Sequence, residues 1–120
     1  MSDGPVVVTA VVRAKEGCAD ELEERLRADG AARAAETGNV AFIVARSTSD
    51  DHDFLLFETY ADSIAHAEHR RLTRLHDDPH RARIAEIVEN VSVVRGSLVF
   101  GSAQFGPEHS EPSGPVKVRK

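Results

Sequence analysis

A chain of 120 residues with 41% hydrophobic and 29% charged residues has the make-up of one ordinary globular domain. No apolar run approaches the roughly 18 residues that cross a bilayer, so a membrane span is not expected. The net charge is −5, Lys and Arg are interleaved with acids, and tryptophan is absent, which argues against nucleic acid as a partner. Cys18 is the only cysteine, so an intrachain disulfide is excluded. Met1-Ser2-Asp3-Gly4-Pro5 lacks the basic start of a secretory signal, and both features point to a reducing cytoplasm.

The β-branched run from Val6 to Ala14 predicts the first strand. Val6, Val8, Ala10, Val12 and Ala14 share one face, while the other carries Val7 and Val11 with Thr9 and Arg13. Both faces are largely apolar, so both need cover, and one layer of helices covers only one. Lys15-Glu16-Gly17 ends the strand. A helix is predicted from about Ala19 to Glu36, with Asp20, Glu21, Glu23 and Glu24 at its dipole-favoured start. Leu22, Leu26, Gly30 and Ala34 line one face, and Gly38 fits a C-terminal cap.

Val40–Arg46 and Phe54–Tyr60 predict two strands joined as a hairpin by the polar segment Ser47–Asp53. Asp62 or Ser63 can cap a second helix running to about His76, with Ile64, Ala65, Leu72 and Leu75 as its buried stripe. Asp78 then reads as an N-cap and Pro79 as the first residue of a new helical turn. Ile84, Ile87, Val88 and Val91 continue at helical spacing, and a last strand is expected within Val93–Phe100. Residues 101–120 are rich in Gly, Ser and Pro and read as a flexible tail, or one draped on a partner, after a domain spanning 1–100.

The order strand-helix-strand-strand-helix-strand is the split β-α-β, ferredoxin-like plan of the α+β class, a four-stranded antiparallel sheet with helices on one face. The open face would show Val7 and Val11 beside two more apolar strands. Such a face marks an association surface, and two sheets packed face to face would give a homodimer, a dimeric α+β barrel.

Val11-Val12-Arg13-Ala14-Lys15-Glu16-Gly17, Glu36-Thr37-Gly38-Asn39-Val40, Phe57-Glu58-Thr59-Tyr60-Ala61-Asp62 with His69, and Pro79-His80 together resemble the antibiotic biosynthesis monooxygenase (ABM) family. The likeness covers roughly residues 6–100. Tyr60 stands where that family usually has Trp, and the stretch from His69 to Pro79 is longer than usual by about two helical turns. The resemblance implies a monooxygenase that oxidises an aromatic polyketide, phenolic or quinol-like small molecule with molecular oxygen and needs no cofactor: no metal, haem or flavin. A base would remove a substrate proton, and the resulting anion would itself reduce oxygen. Relatives on this fold that degrade haem use an Asn where this chain has Ala10 and a Trp near His69, and neither is present.

The second helix holds most of the chemistry-bearing residues. Glu68 falls near the middle of the predicted buried stripe, His69 and His76 flank it, and His66 points nearly the opposite way. A buried carboxylate is costly unless paired or protonated, so Glu68 is either a base with a tuned pKa or the ion-pair partner of Arg71. His69 is the other candidate base. Tyr60 would donate to a substrate oxygen or serve as a core aromatic with a wet tip. Glu58 would orient a histidine or pair with an arginine, and Arg46 reads as solvated surface more readily than as a pocket mouth.

The candidate catalytic residues are therefore His69, Glu68 and Tyr60, with Ala10, Glu58, Leu72 and His76 lining a pocket between sheet and second helix. His66, His69, His76 and His80 fall within fifteen residues. A zinc site needs three or four ligands converging on one point, and the helix break before His80 opposes that. Cys18 has no apparent partner and reads as a small surface residue. Two other functions fit the same scaffold: a non-oxidative isomerase or cyclase using Glu68 and His69 as an acid-base pair, and a non-catalytic ligand-binding dimer.

Overall fold

The structure is a computed structural model that describes residues 4–75 and 79–102, with the side chains of residues 72–75 outside the description. The elements are β1 (Val6–Ala14), α1 (Ala19–Ala34), β2 (Asn39–Arg46), β3 (Asp53–Tyr60), α2 (Ser63–Leu75), α3 (Pro79–Ile87) and β4 (Val88–Ser97). The strands form one antiparallel sheet in the order β2-β3-β1-β4. This is the ferredoxin-like plan that the alternation of strands and helices predicts.

The pleat sorts the two faces as the sequence implies. Val8, Val12 and Ala14 of β1 and Phe54, Leu56 and Tyr60 of β3 are buried under the helices. Leu22 and Leu26 of α1 and Ile87 of α3 complete that side of the core. On the other face the ladder aligns Val11 with Leu55, and Thr9 with Phe57 and Val94. Val11, Leu55, Phe57 and Val94 are all exposed, so this side of the sheet is apolar and bare within the chain. No helix among the described residues is long and apolar enough to cross a membrane.

Helix α1 closes two residues sooner than the spacing predicts. Its exit tightens through Ala35 N–H to Ala32 O and Glu36 N–H to Arg33 O, the i to i−3 pattern of a narrowing last turn. Gly38 lies in the turn that follows, with φ of +90°. A Cβ there would come within 2.6 Å of Ala65 Cβ on α2, and its carbonyl accepts the Ala61 N–H at 2.8 Å. Both the backbone conformation and the close approach require glycine. Gly38 thereby sets how near the end of α1 comes to the start of α2.

Asp62 is the cap of α2: its Oδ1 accepts the Ala65 N–H at 2.8 Å. The predicted buried stripe is corrected at Ile64 and holds at Ala65, while the side chains of Leu72 and Leu75 lie outside the described residues. Ile64 is 75% exposed and Glu68 faces solvent, while Ala65, His66 and His69 turn inward. The helix is rolled by roughly one residue, about 100°, because Ala65 meets Gly38, His69 stacks on Tyr60 and His66 lies tilted against the same ring.

The start of β4 is also corrected. Helical spacing runs on to Val91 in sequence, but the helix ends at Ile87 and the strand begins at Val88 with no loop. Lys15 N–H bonds the Ile87 carbonyl, and β1 then captures Val88, Val91 and Val93, β-branched residues that suit a pleated ladder. Residues 98–100 lie beyond the strand, and Val99 and Phe100 are exposed. The tail from residue 103 lies outside the described residues.

Candidate active site

Five side chains from four segments meet at the Tyr60 end of β3. Tyr60 is 1% exposed, and its hydroxyl donates to Glu58 Oε1 at 2.7 Å. The His69 ring stacks on Tyr60 with centroids 5.0 Å apart. His69 Nδ1–H donates to Glu36 Oε1 at 2.8 Å, and its Nε2 lies 3.7 Å from Glu58 Oε1. Glu36 Oε2 in turn accepts from Arg33 Nε at 2.9 Å. The result is a row of polar contacts, Arg33, Glu36, His69, Glu58, Tyr60, hydrogen-bonded at every step except between His69 and Glu58, in which the four members from Arg33 to Glu58 keep only 14–17% of their side-chain surface.

Each member is placed by backbone that the local sequence dictates. Glu58 and Tyr60 are alternate residues of one strand and share its helix-facing side. Glu36 arrives through the tightened exit of α1 that Gly38 holds. Burial, followed by the Glu58 carboxylate, pushes the Tyr60 phenol well above its ordinary range, so Tyr60 is a permanent donor. With Nδ1 committed to Glu36, it is Nε2 that His69 turns toward Glu58.

His66 is the member that the periodicity misplaced. Its ring lies tilted by 43° against Tyr60, with centroids 5.3 Å apart, and burial followed by the charges of Arg70 and Arg95 holds its pKa below the ordinary imidazole value. Its i, i+3 relation to His69 was the available signal, since that spacing places both on one helix face.

The other predicted residues fall as follows. Glu68 is on the solvent side and pairs with Arg71 at 2.9 Å, which holds its carboxyl below the usual range; the expected buried position is overturned. Ala10 is half-buried on the helix-facing side of β1. The Leu72 side chain and His76 lie outside the described residues. Arg46 is neither pocket mouth nor free surface: it bonds Asp20 and Glu23 at 3.0 Å and covers Phe54, at the far end of β3 from Tyr60. Cys18 is half-buried against the core rather than at the surface. His80 bonds Asp29 at 2.7 Å and Arg25 at 3.2 Å, which ties α3 to α1 away from the other histidines. Among the described residues only Asp50, Asp51 and His52 bring three potential metal-ligating side chains together. Asp50 is already bonded to Arg13, and the histidines of α2 are not part of that group.

A recess of about 280 Å³ lies on the bare face of the sheet, between Val7, Thr9, Val94 and Leu98. It is separated from His69 by the thickness of the sheet.

The sequence pattern of the family described as Antibiotic biosynthesis monooxygenase matches residues 5–77. The chain belongs to that family. No curated protein matches the chain. Solved structures of the same fold include PA3566 from Pseudomonas aeruginosa, at 24% identity and a TM-score of 0.68 over 83% of this chain and 99% of that one. Rv0793 from Mycobacterium tuberculosis is similar at 26% identity and a TM-score of 0.67, covering 82% and 99%. SnoaB, a cofactor-independent oxygenase from Streptomyces nogalater, is similar in fold at 19% identity and a TM-score of 0.64, covering 88% and 99%. The family match spans β1 to α2 and so includes every member of the His69 chain, while α3 and β4 lie beyond it.

Proposed function

We propose that this ABM-family protein is a cofactor-independent monooxygenase that oxidises an aromatic polyketide, phenolic or quinol-like small molecule, with His69 as the base. The observation that carries the reading is the buried chain from Glu36 through His69 to Glu58 and Tyr60. His69 Nε2 takes an acidic C–H or O–H proton from the substrate, and Glu36 and Glu58 stabilise the imidazolium. The substrate anion is electron-rich enough to reduce oxygen directly. For an anthrone, one electron passes to O₂, the radical pair joins as a hydroperoxide, and loss of water leaves a quinone. One oxygen atom enters the product and the other leaves as water, so the balance needs no external reductant.

The protein acts as a homodimer in this reading, with the bare face carrying Val11, Leu55, Phe57 and Val94 pressed against a second copy. The recess on that face then lies in the interface and not at the reaction centre.

Oxygen uptake with a panel of anthrones and hydroquinones, in the presence of a metal chelator, tests the activity. Uptake with stoichiometric quinone formation is expected, and silence across the panel contradicts it. A second reading, an isomerase or cyclase for a small hydroxylated carbonyl compound, is favoured by the same acid-base chain. It is separated by turnover under strict anaerobiosis.

A further inference from the structure

The exit of α1 is closed by two bonds between the same pair of residues. Glu36 N–H donates to the Arg33 carbonyl at 2.9 Å, and Arg33 Nε donates to Glu36 Oε2 at 2.9 Å. The first bond fixes the Glu36 backbone and the second fixes its carboxylate. Oε1 is the oxygen left to face α2, where it accepts from His69 Nδ1 at 2.8 Å. Arginine and glutamate three or four residues apart are ordinary helix decoration when solvated, and such pairs contribute little. Arg27–Glu23 and Arg71–Glu68 are of that kind, with 30–32% and 47–55% of their side-chain surface exposed. Arg33 and Glu36 keep 15% and 16%, and the Glu36 carboxylate is shared with a histidine 33 residues away.

We infer that Arg33 is a positioning residue for His69: by pinning Glu36 it fixes which ring nitrogen carries the proton, and holds His69 as the Nδ1–H tautomer. The inference rests on the oxygenase reading for the use of Nε2 as the base, and deepens it by naming the residue that keeps that nitrogen available. A carboxylate has no hydrogen to give, so its bond to Nδ1 exists only while Nδ1 bears one. The lone pair of the neutral ring is then on Nε2, the nitrogen turned toward Glu58. Without Arg33 the carboxylate is the end of a long flexible side chain, and its preference for Nδ1 must be held against rotamer freedom. A ring that drifts to the Nε2–H form has no lone pair on Nε2 with which to take a substrate proton. Arg33 acts on the ring through Glu36, so its removal changes the tautomer before it changes anything at the substrate.

The test is proton–nitrogen correlation NMR of the His69 ring in the full chain, at a pH where the ring is neutral, in wild type, Arg33→Met and Arg33→Lys. Arg33→Met keeps the aliphatic stem and removes the donor, and Arg33→Lys restores one. Wild type is expected in the Nδ1–H form. Arg33→Met is expected to lower the ratio of Nδ1–H to Nε2–H by about tenfold, the bias that one charge-assisted bond supplies, and Arg33→Lys to recover part of it. Arg33→Ala takes the place of Arg33→Met if the latter does not fold. An ion pair with a structural role alone would lower Tm in Arg33→Met and leave the tautomer ratio where it was, and that result overturns the inference. So does an Nε2–H ring in wild type. The two readings fail separately. A tautomer shift in Arg33→Met, in a protein that consumes no oxygen with any aromatic, supports the positioning role and sinks the oxygenase. Equal turnover by wild type and Arg33→Met, with an unmoved tautomer ratio, does the reverse. When both hold, kcat of Arg33→Met falls in proportion to its Nδ1–H fraction at unchanged KM.

Discussion

The hydroxyl of Tyr60 donates to Glu58 Oε1 at 2.7 Å, two residues back on the same strand. That oxygen is also the Glu58 atom nearest His69 Nε2. A buried phenol placed in this way orients the Glu58 carboxylate beside His69. Tyr60→Phe keeps the ring that stacks on His69 but strips Glu58 of its donor, at an expected cost of about 1–2 kcal/mol in stability. The expected kinetic effect is a fall in kcat of roughly tenfold with little change in KM. Steady-state rates check this, and a rise in KM at unchanged kcat would mean that Tyr60 contacts the substrate after all.

Gly38 carries both a left-handed φ and a forbidden Cβ position against Ala65. Gly38→Ala is expected to cost about 1–3 kcal/mol and to lower Tm by several degrees. It also moves the α1 exit away from α2, which loosens the Glu36–His69 bond. A wild-type Tm by calorimetry would show that the two helices do not meet as described.

Acid should erase one surface cluster. Arg83, followed by Arg25, holds the Glu21 carboxyl down to about 2 from an ordinary 4.5. Because the folded value is the lower one, the unfolded chain takes up the proton first as pH falls. The contribution of Glu21 to stability is therefore complete above pH 4.5 and is lost progressively toward pH 2. Glu21→Gln should be less stable than wild type at neutral pH, with the gap in urea midpoint closing through that window. A gap that is constant with pH would contradict the pairing.

Much of the fold can be read from local patterns, and the misses have a common cause. The alternation in β1 and β3 and the polar turn between β2 and β3 fix the two faces of the sheet without help from distant contacts. Periodicity fails in α2 because it scores Ile64 as core and His66 as surface. The ring contacts of His66 and His69 with Tyr60 and the approach of Ala65 to Gly38 roll the helix the other way. The same method extends a helix through Val88 and Val91, where pairing with β1 decides for strand. At the site, Glu58, Tyr60 and His69 are visible as neighbours in sequence. Glu36 is not, since it lies 33 residues from His69 and reaches it only through the turn that Gly38 permits.

The bare face predicts its own partner. Phe57→Asp puts a charge at the centre of the surface that Val11, Leu55 and Val94 share. It should convert a dimer into a monomer at micromolar concentration while leaving the helix-facing core unaltered. Light scattering checks it. A wild-type chain that is already monomeric would remove the case for paired sheets.

The most direct test of the central claim is the oxygen-uptake rate of His69→Ala against wild type, on whichever anthrone or hydroquinone wild type turns over fastest, with circular dichroism to confirm the fold. If His69 is the base, kcat should fall by about 100-fold or more and exogenous imidazole should restore part of it. A folded His69→Ala protein that works within twofold of wild type would show that the reaction centre is not there.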